Sequence, residues 1–215
     1  MGLGVSAGGW GNQDASNCAL AFGTFAFAGV PAHEMPTIAF SNPAQTNQLS
    51  WVLKNEDDDW RWGYRLGEAM TCSVSLCIWE TEYEGNPLWL PRIGYHDEFE
   101  QAFYVARSYV EENQIRWDTH RVNFTGSPGT GYYTNVAMAF EAGYELIFAS
   151  CYNLALNRAE LGIENLLNPD SYFLHQVPPA DGGRYLSMGL VRVGGNDKAA
   201  LSLVKDGNLY VSVME

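Results

Sequence analysis

Asp97-Glu98-Phe99-Glu100, continuing Gln101-Ala102-Phe103-Tyr104-Val105-Ala106-Arg107-Ser108-Tyr109-Val110-Glu111-Glu112-Asn113, is the stretch on which the fold class turns. Asp97 stands three residues before Glu100, the spacing of a capping box at a helix start. Phe99, Phe103, Ala106, Tyr109 and Val110 recur at helical intervals and make one apolar face. Glu98, Gln101, Arg107, Ser108, Glu111 and Glu112 fall mostly on the other side. The pattern predicts an amphipathic helix over 97–113, packed across a sheet made by the strand-like segments on either side.

Outward from it, most of the chain reads as strands. Met70, Cys72, Val74, Leu76 and Ile78 alternate with Thr71, Ser73, Ser75 and Cys77, with an extension to Tyr83 and a stop at Gly85-Asn86-Pro87. Leu49 to Lys54 and Trp60 to Leu66 flank Glu56-Asp57-Asp58-Asp59, which suits a hairpin with a charged loop. Ile115 to Phe124 has strand composition. Arg184 to Val193, Ala199 to Val204 and Leu209 to Met214 form a three-strand meander over 184–214. Asp206-Gly207 is its type I′ hairpin signal. Val136 to Cys151 is apolar nearly all round, so it suits a buried helix or two buried strands folded at Glu141-Ala142-Gly143. With the helical composition of Leu154 to Leu167 beside it, a second helix is predicted over about 135–167, stopped by Asn168-Pro169-Asp170. The fold class expected is therefore α+β, β-rich, with a mainly antiparallel sheet or sandwich.

Residues 1–47 differ from the rest, being rich in glycine and proline and free of Lys and Arg. They are expected to form an extended N-terminal arm, with 48–215 as one domain; such a segment is ordered where its own fold or a neighbouring subunit holds it. At 215 residues with 47% hydrophobic residues, the chain is long and apolar enough for a sizeable core. Its 12 basic against 25 acidic residues give a net charge of −13. That balance disfavours direct nucleic-acid binding, which needs Lys and Arg on phosphates, and suits a basic partner or the lining of a conduit along which DNA slides. Met1-Gly2-Leu3-Gly4 lacks a basic leader region, so no secretion signal is expected. Gly2 with Ser6 loosely fits a myristoylation pattern that no polybasic patch supports. No membrane span is expected, since the most apolar window carries Glu141 and Glu145.

No motif declares a reaction. Cys18, Cys72, Cys77 and Cys151 match no zinc spacing and read as reduced thiols. His33-Glu34 is not followed by a second histidine at the metalloprotease spacing, His96-Asp97-Glu98 has its explanation in the helix start, and His175 stands alone. The acidic run 56–59 lacks the alternation of a calcium loop and reads as a solvated turn. Gly126-Ser127-Pro128-Gly129-Thr130-Gly131 resembles a phosphate-binding loop without its lysine and reads as a connection. Asn123-Phe124-Thr125 is a glycosylation sequon without a secretion context. No cofactor and no metal are expected.

Aromatics, by contrast, are dense. In Trp60-Arg61-Trp62-Gly63-Tyr64-Arg65 the aromatics alternate with arginines, the residue types in which interface hot spots are enriched. Trp10, Phe22, Phe25, Phe27, Trp60, Trp62, Tyr64 and Trp89 are the interface candidates, and Trp and Tyr platforms also suit a carbohydrate. The leading expectation is a structural subunit of a large assembly, such as a virus or phage head, neck, tail or decoration component, sited in a virion or the cytoplasm. Its partners would be copies of itself and other assembly proteins, with no sequence-specific nucleic acid and no membrane. Two alternatives stand beside it: an acidic, immunity-type protein that neutralises a basic partner in a salt-dependent complex, and an enzyme with a dispersed site drawn from His96, His120 and Glu80.

Overall fold

A computed structural model describes residues 17–27, 30–42, 48–54, 60–68, 71–83, 86–112, 114–124, 131–141, 144–175, 177 and 184–214. Among them the protein is all-β, with no helix, and the expected α+β class is corrected accordingly. The elements are four successive sheets built almost wholly from antiparallel neighbours in chain order. The first holds β1 (Asn17–Phe27), β2 (Val30–Asn42), β3 (Gln48–Lys54) and β4 (Trp60–Glu68). In the second are β5 (Thr71–Tyr83), β6 (Asn86–Asp97), β7 (Ala102–Glu111) and β8 (Gln114–Arg121). The third runs β10 (Gly131–Glu141), β11 (Tyr144–Asn153), β12 (Arg158–Asn165) and β13 (Asn168–His175), with the two-residue β9 (Asn123–Phe124) added in parallel at its far edge. The fourth is β14 (Arg184–Val193), β15 (Asn196–Lys205) and β16 (Asn208–Val213), the meander expected over 184–214.

The helix predicted over 97–113 is absent, and its first turn explains why the pattern misled. Asp97 Oδ1 does accept hydrogen bonds from the amides of Phe99 (2.8 Å) and Glu100 (3.2 Å). The same carboxylate–amide bonds open a tight turn as readily as a helix. Here Gln101 adopts φ 52°, the chain reverses, and Asp97 pairs with Ala102 as β6 and β7 become a hairpin. β7 lies inside the second sheet and is buried on both faces, by Phe103 and Val105 on one and Ala106 and Ser108 on the other. Burial on both faces removes the alternation by which a strand is recognised.

The second predicted helix, about 135–167, is absent for the same reason. β10 and β11 form the hairpin held open as the alternative reading, with Glu141 paired to Tyr144. Every side chain from Ile147 to Asn153 is buried. The apparently helical 154–167 is a turn followed by β12, and Asn168-Pro169-Asp170 opens β13 rather than ending a helix. From the segment expected to be an extended arm, β1 and β2 join the first sheet and β2 pairs directly with β3.

The sheets stack face on face in chain order, and approach one another closest along their first strands, β1 beside β5, β5 beside β10 and β10 beside β14. The result is a fan of blades, the relation that propeller blades have to their axis. Small polar residues permit the approach: the Thr134 amide donates to Ser73 Oγ (2.8 Å), and Thr134 Oγ1 lies 3.0 Å from the same oxygen. Three apolar layers fill the gaps between sheets. Ala39, Leu49 and Trp51 of the first sheet meet Ile93, Tyr95 and Ala106 of the second. Phe103 and Val105, on the second sheet's other face, meet Val136, Ile147, Ala149 and Tyr172 of the third. Phe148, Tyr152 and Leu161, on the third sheet's far face, meet Leu186, Leu201 and Leu203 of the fourth.

Candidate assembly interface

A stack of four sheets has two end faces. On the fourth sheet, register and alternation decide which residues lie there: Leu186, Met188, Ala199, Leu201 and Leu203 point at the third sheet, so their neighbours along each strand point away. The outward rows are Ser187–Ser202–Val211, Gly189–Ala200–Val213, Val191–Lys198 and Val204–Leu209. Val191, Val193, Val204, Leu209, Val211 and Val213 are all exposed, Leu209 at 70% and Val211 at 65%. A Cβ placed on Gly189 would meet nothing within 4 Å. Arg184, paired with Val204, and Lys198 are the charged residues of these rows and no carboxylate appears in them, on a chain whose net charge is −13.

At the other end, the rows Cys18–Phe40–Ser50–Arg65 and Leu20–Ile38–Val52–Gly63 lie on the face away from the second sheet. Ile38, Phe40 and Val52 form a small buried cluster. Leu20 (58%) and Phe22 (60%) are exposed beside it, with Cys18. Scattered exposed leucines are ordinary on any protein; a contiguous sheet face of aliphatic side chains is not.

Between the second and third sheets the packing has a different character, apolar with a seam of charge. Arg92 of β6 reaches Glu145 of β11 with two nitrogens, Nε to Oε1 at 2.9 Å and Nη2 to Oε2 at 3.3 Å. Arg107 of β7 pairs with Glu164 of β12. His120 of β8 lies 3.1 Å from Asp170 on β13 and 2.9 Å from Asp118 on its own strand. Within the third sheet, Glu160 is fully buried and takes hydrogen bonds from Arg158 and Asn153. These groups are satisfied by one another across the gap. The thiols nearby are unreactive by environment: burial pushes Cys77 up to about 12 and raises Cys151 well above the usual thiol range.

Of the residues proposed for a dispersed catalytic site, the two histidines have different partners. His96 is buried, with its ring 4.6 Å from that of Tyr132, and burial lowers its pKa against the pull of Glu98 and Asp97. His120 engages Asp118 and Asp170 instead. The side chain of Glu80 is outside the described set. Among the described residues no group of three or more His, Cys, Asp or Glu is placed to hold a metal ion, and no helix is long and apolar enough to cross a membrane.

Of the interface candidates, Phe22 is exposed on β1, and Trp89 packs half-buried against the layer between the first and second sheets. Phe25, Phe27, Trp60, Trp62 and Tyr64 lie on β1 and β4, and the ladder between β3 and β4 shifts register opposite Trp62. Their side chains are outside the described set, as are all of Trp10 and the acidic run 56–59. The aliphatic face of the fourth sheet was not among the candidates. Its signal is present in Leu209-Tyr210-Val211-Ser212-Val213 and Ala199 to Val204, where both alternating sets carry apolar residues although one sheet face is free.

No protein-family model matches the chain, and no curated protein matches it.

Proposed function

We propose that this chain is a structural subunit of a large assembly, of the kind that builds a virus or phage particle, acting through contacts between folded subunits. The observation that carries the reading is the outer face of β14–β16: six exposed aliphatic side chains on one sheet face, in rows whose charged members are both basic, Arg184 and Lys198. Apolar faces of this kind mark protein–protein contacts. The high negative charge keeps subunits apart at low salt and makes assembly depend on screening.

Light scattering after size exclusion tests it, over a range of protein concentration and at low and high salt. Discrete higher-mass species that grow with concentration and with salt are expected. Leu209→Lys with Val211→Lys should return the protein to monomer while its strand spectrum stays unchanged. A monomer under all conditions overturns the reading. An acidic protein that neutralises a basic partner predicts the opposite salt response, a complex weakened by screening.

A further inference from the structure

In each of the first three sheets a third strand is followed by a fourth: β3 by β4, β7 by β8 and β12 by β13. Those third strands are buried, β3 from Leu49 to Val52, β7 at Phe103, Val105, Ala106 and Ser108, and β12 from Ala159 to Gly162. The fourth sheet differs. Among the described residues its third strand, β16, has a neighbour on one side only, β15, and five of its six residues are exposed. We infer that the free edge of β16 is a docking site for an extended strand of another protein. That strand adds to the sheet antiparallel and takes the position that β4, β8 and β13 hold in theirs. The inference goes beyond the assembly role and does not depend on it.

The backbone of β16 is set for this. The Met214 amide donates to the Ala199 carbonyl at 2.8 Å, and from Val213 back to Asn208 the ladder with β15 has no register shift. Antiparallel ladders alternate bonded and non-bonded pairs. Tyr210 and Ser212 therefore direct their N–H and C=O groups at β15, while those of Leu209, Val211 and Val213 point out of the free edge. The side chains of the same three residues are exposed and aliphatic. Proteins guard such edges with charge, proline or a covering strand. β4 carries Arg61, Arg65 and Glu68, and β8 carries Arg116, Asp118 and Arg121. β13 has Pro169 and Asp170 and is covered in part by β9. β16 has no charged residue and no proline. The chemistry of the occupant follows. Its main chain supplies the hydrogen bonds, and apolar side chains at alternate positions extend the row of Leu209, Val211 and Val213, as in other cases of strand addition. On a chain of net charge −13, basic residues flanking that apolar stretch draw it in.

Selection from a library of random peptides tests it, with Val211→Pro as the counter-target. That substitution removes an outward amide and none bonded to β15, so the sheet should keep its strand spectrum. Peptides retained by wild type should carry apolar residues at alternate positions, with Lys or Arg at their flanks. Val211→Pro should bind them on the order of tenfold more weakly, the effect of one lost main-chain hydrogen bond that leaves its acceptor unpaired. Amide exchange of the wild-type protein with one such synthetic peptide needs no substitution. The amides of Leu209, Val211 and Val213 should slow by about tenfold or more on binding, while those of Tyr210 and Ser212, already bonded to β15, change little. Failure to select alternating peptides overturns the inference. So does equal binding by a folded Val211→Pro, or a bound peptide that leaves the three outward amides exchanging as before. If those amides slow when the protein alone is concentrated, the edge pairs with a second copy, and a strand of another protein is not its occupant.

Discussion

Arg92 on β6 grips Glu145 on β11 with two nitrogens across the gap between the second and third sheets, while its Nη1 donates to the carbonyl of Ser108 at 2.5 Å. The arginine is almost wholly buried, so removing its partner strands a charge in an apolar layer. Loss of one member of such a pair costs about 3–5 kcal/mol. Glu145 keeps some contact with water, which lowers that figure towards its bottom end. Glu145→Gln and Arg92→Met should each destabilise the fold by roughly 3 kcal/mol, and the double variant by clearly less than the sum. Denaturant titration of the four proteins gives the coupling. Additive losses would mean that the pair does not hold the two sheets in register.

Gly162 of β12 sits where a side chain has no room. A Cβ there would lie 2.8 Å from a ring carbon of Phe124 on β9 and 2.9 Å from the backbone oxygen of Phe173 on β13. The ring could turn aside, but the backbone oxygen belongs to the ladder and cannot. Gly162→Ala should therefore cost about 1–3 kcal/mol as an overpacked site, lowering the thermal midpoint by several degrees for a domain of this size. A midpoint equal to that of wild type would show that β9 and β13 yield at no cost.

His96 makes stability depend on pH. Burial holds its folded-state pKa below the ordinary 6.5, an effect larger than the opposing pull of Glu98 and Asp97. As pH falls, the unfolded chain takes up the proton first, so its contribution to stability is complete above about 6.5 and is lost as pH drops towards the folded value. Between pH 7.5 and 5.5 the wild-type unfolding midpoint should decline, and His96→Gln should flatten that decline. Equal slopes for the two proteins would assign the pH dependence to other groups.

How far the sequence disclosed this fold depends on how many faces a strand buries. β5 alternates cleanly and the C-terminal meander carries its turns openly. Asp206 (φ 51°) and Gly207 (φ 76°) take the two positive angles of a type I′ turn. β7, β10 and β11 lie between sheets, so apolar residues occupy both parities and helical spacing appears by coincidence. Phe103, Tyr104, Val105, Tyr109 and Val110 are nonetheless β-branched or aromatic, which favours a strand, and that composition was the better guide. The end faces were less legible still. Val211 and Leu201 look alike in sequence, and only the order of stacking separates the one left outside from the one packed within.

The cysteines turn burial into chemistry. Alkylation needs a thiolate and an approach path. Cys77 is partly buried, and although Arg92 draws its pKa down, burial and Glu145 leave it at about 12. Cys151 is buried beside Glu160, which adds to the same upward shift. Cys18 is exposed on β1. At pH 8 and low protein concentration, iodoacetamide should modify Cys18 within minutes and leave Cys77 and Cys151 intact for hours, with peptide mass mapping assigning each site. Denaturant should release both. Substituting Glu145→Gln removes one upward influence on Cys77 and also loosens the seam, so its labelling should quicken while that of Cys151 stays slow. If Cys151 quickens equally, the second and third sheets open as one unit, and the Arg92–Glu145 pair is their common latch.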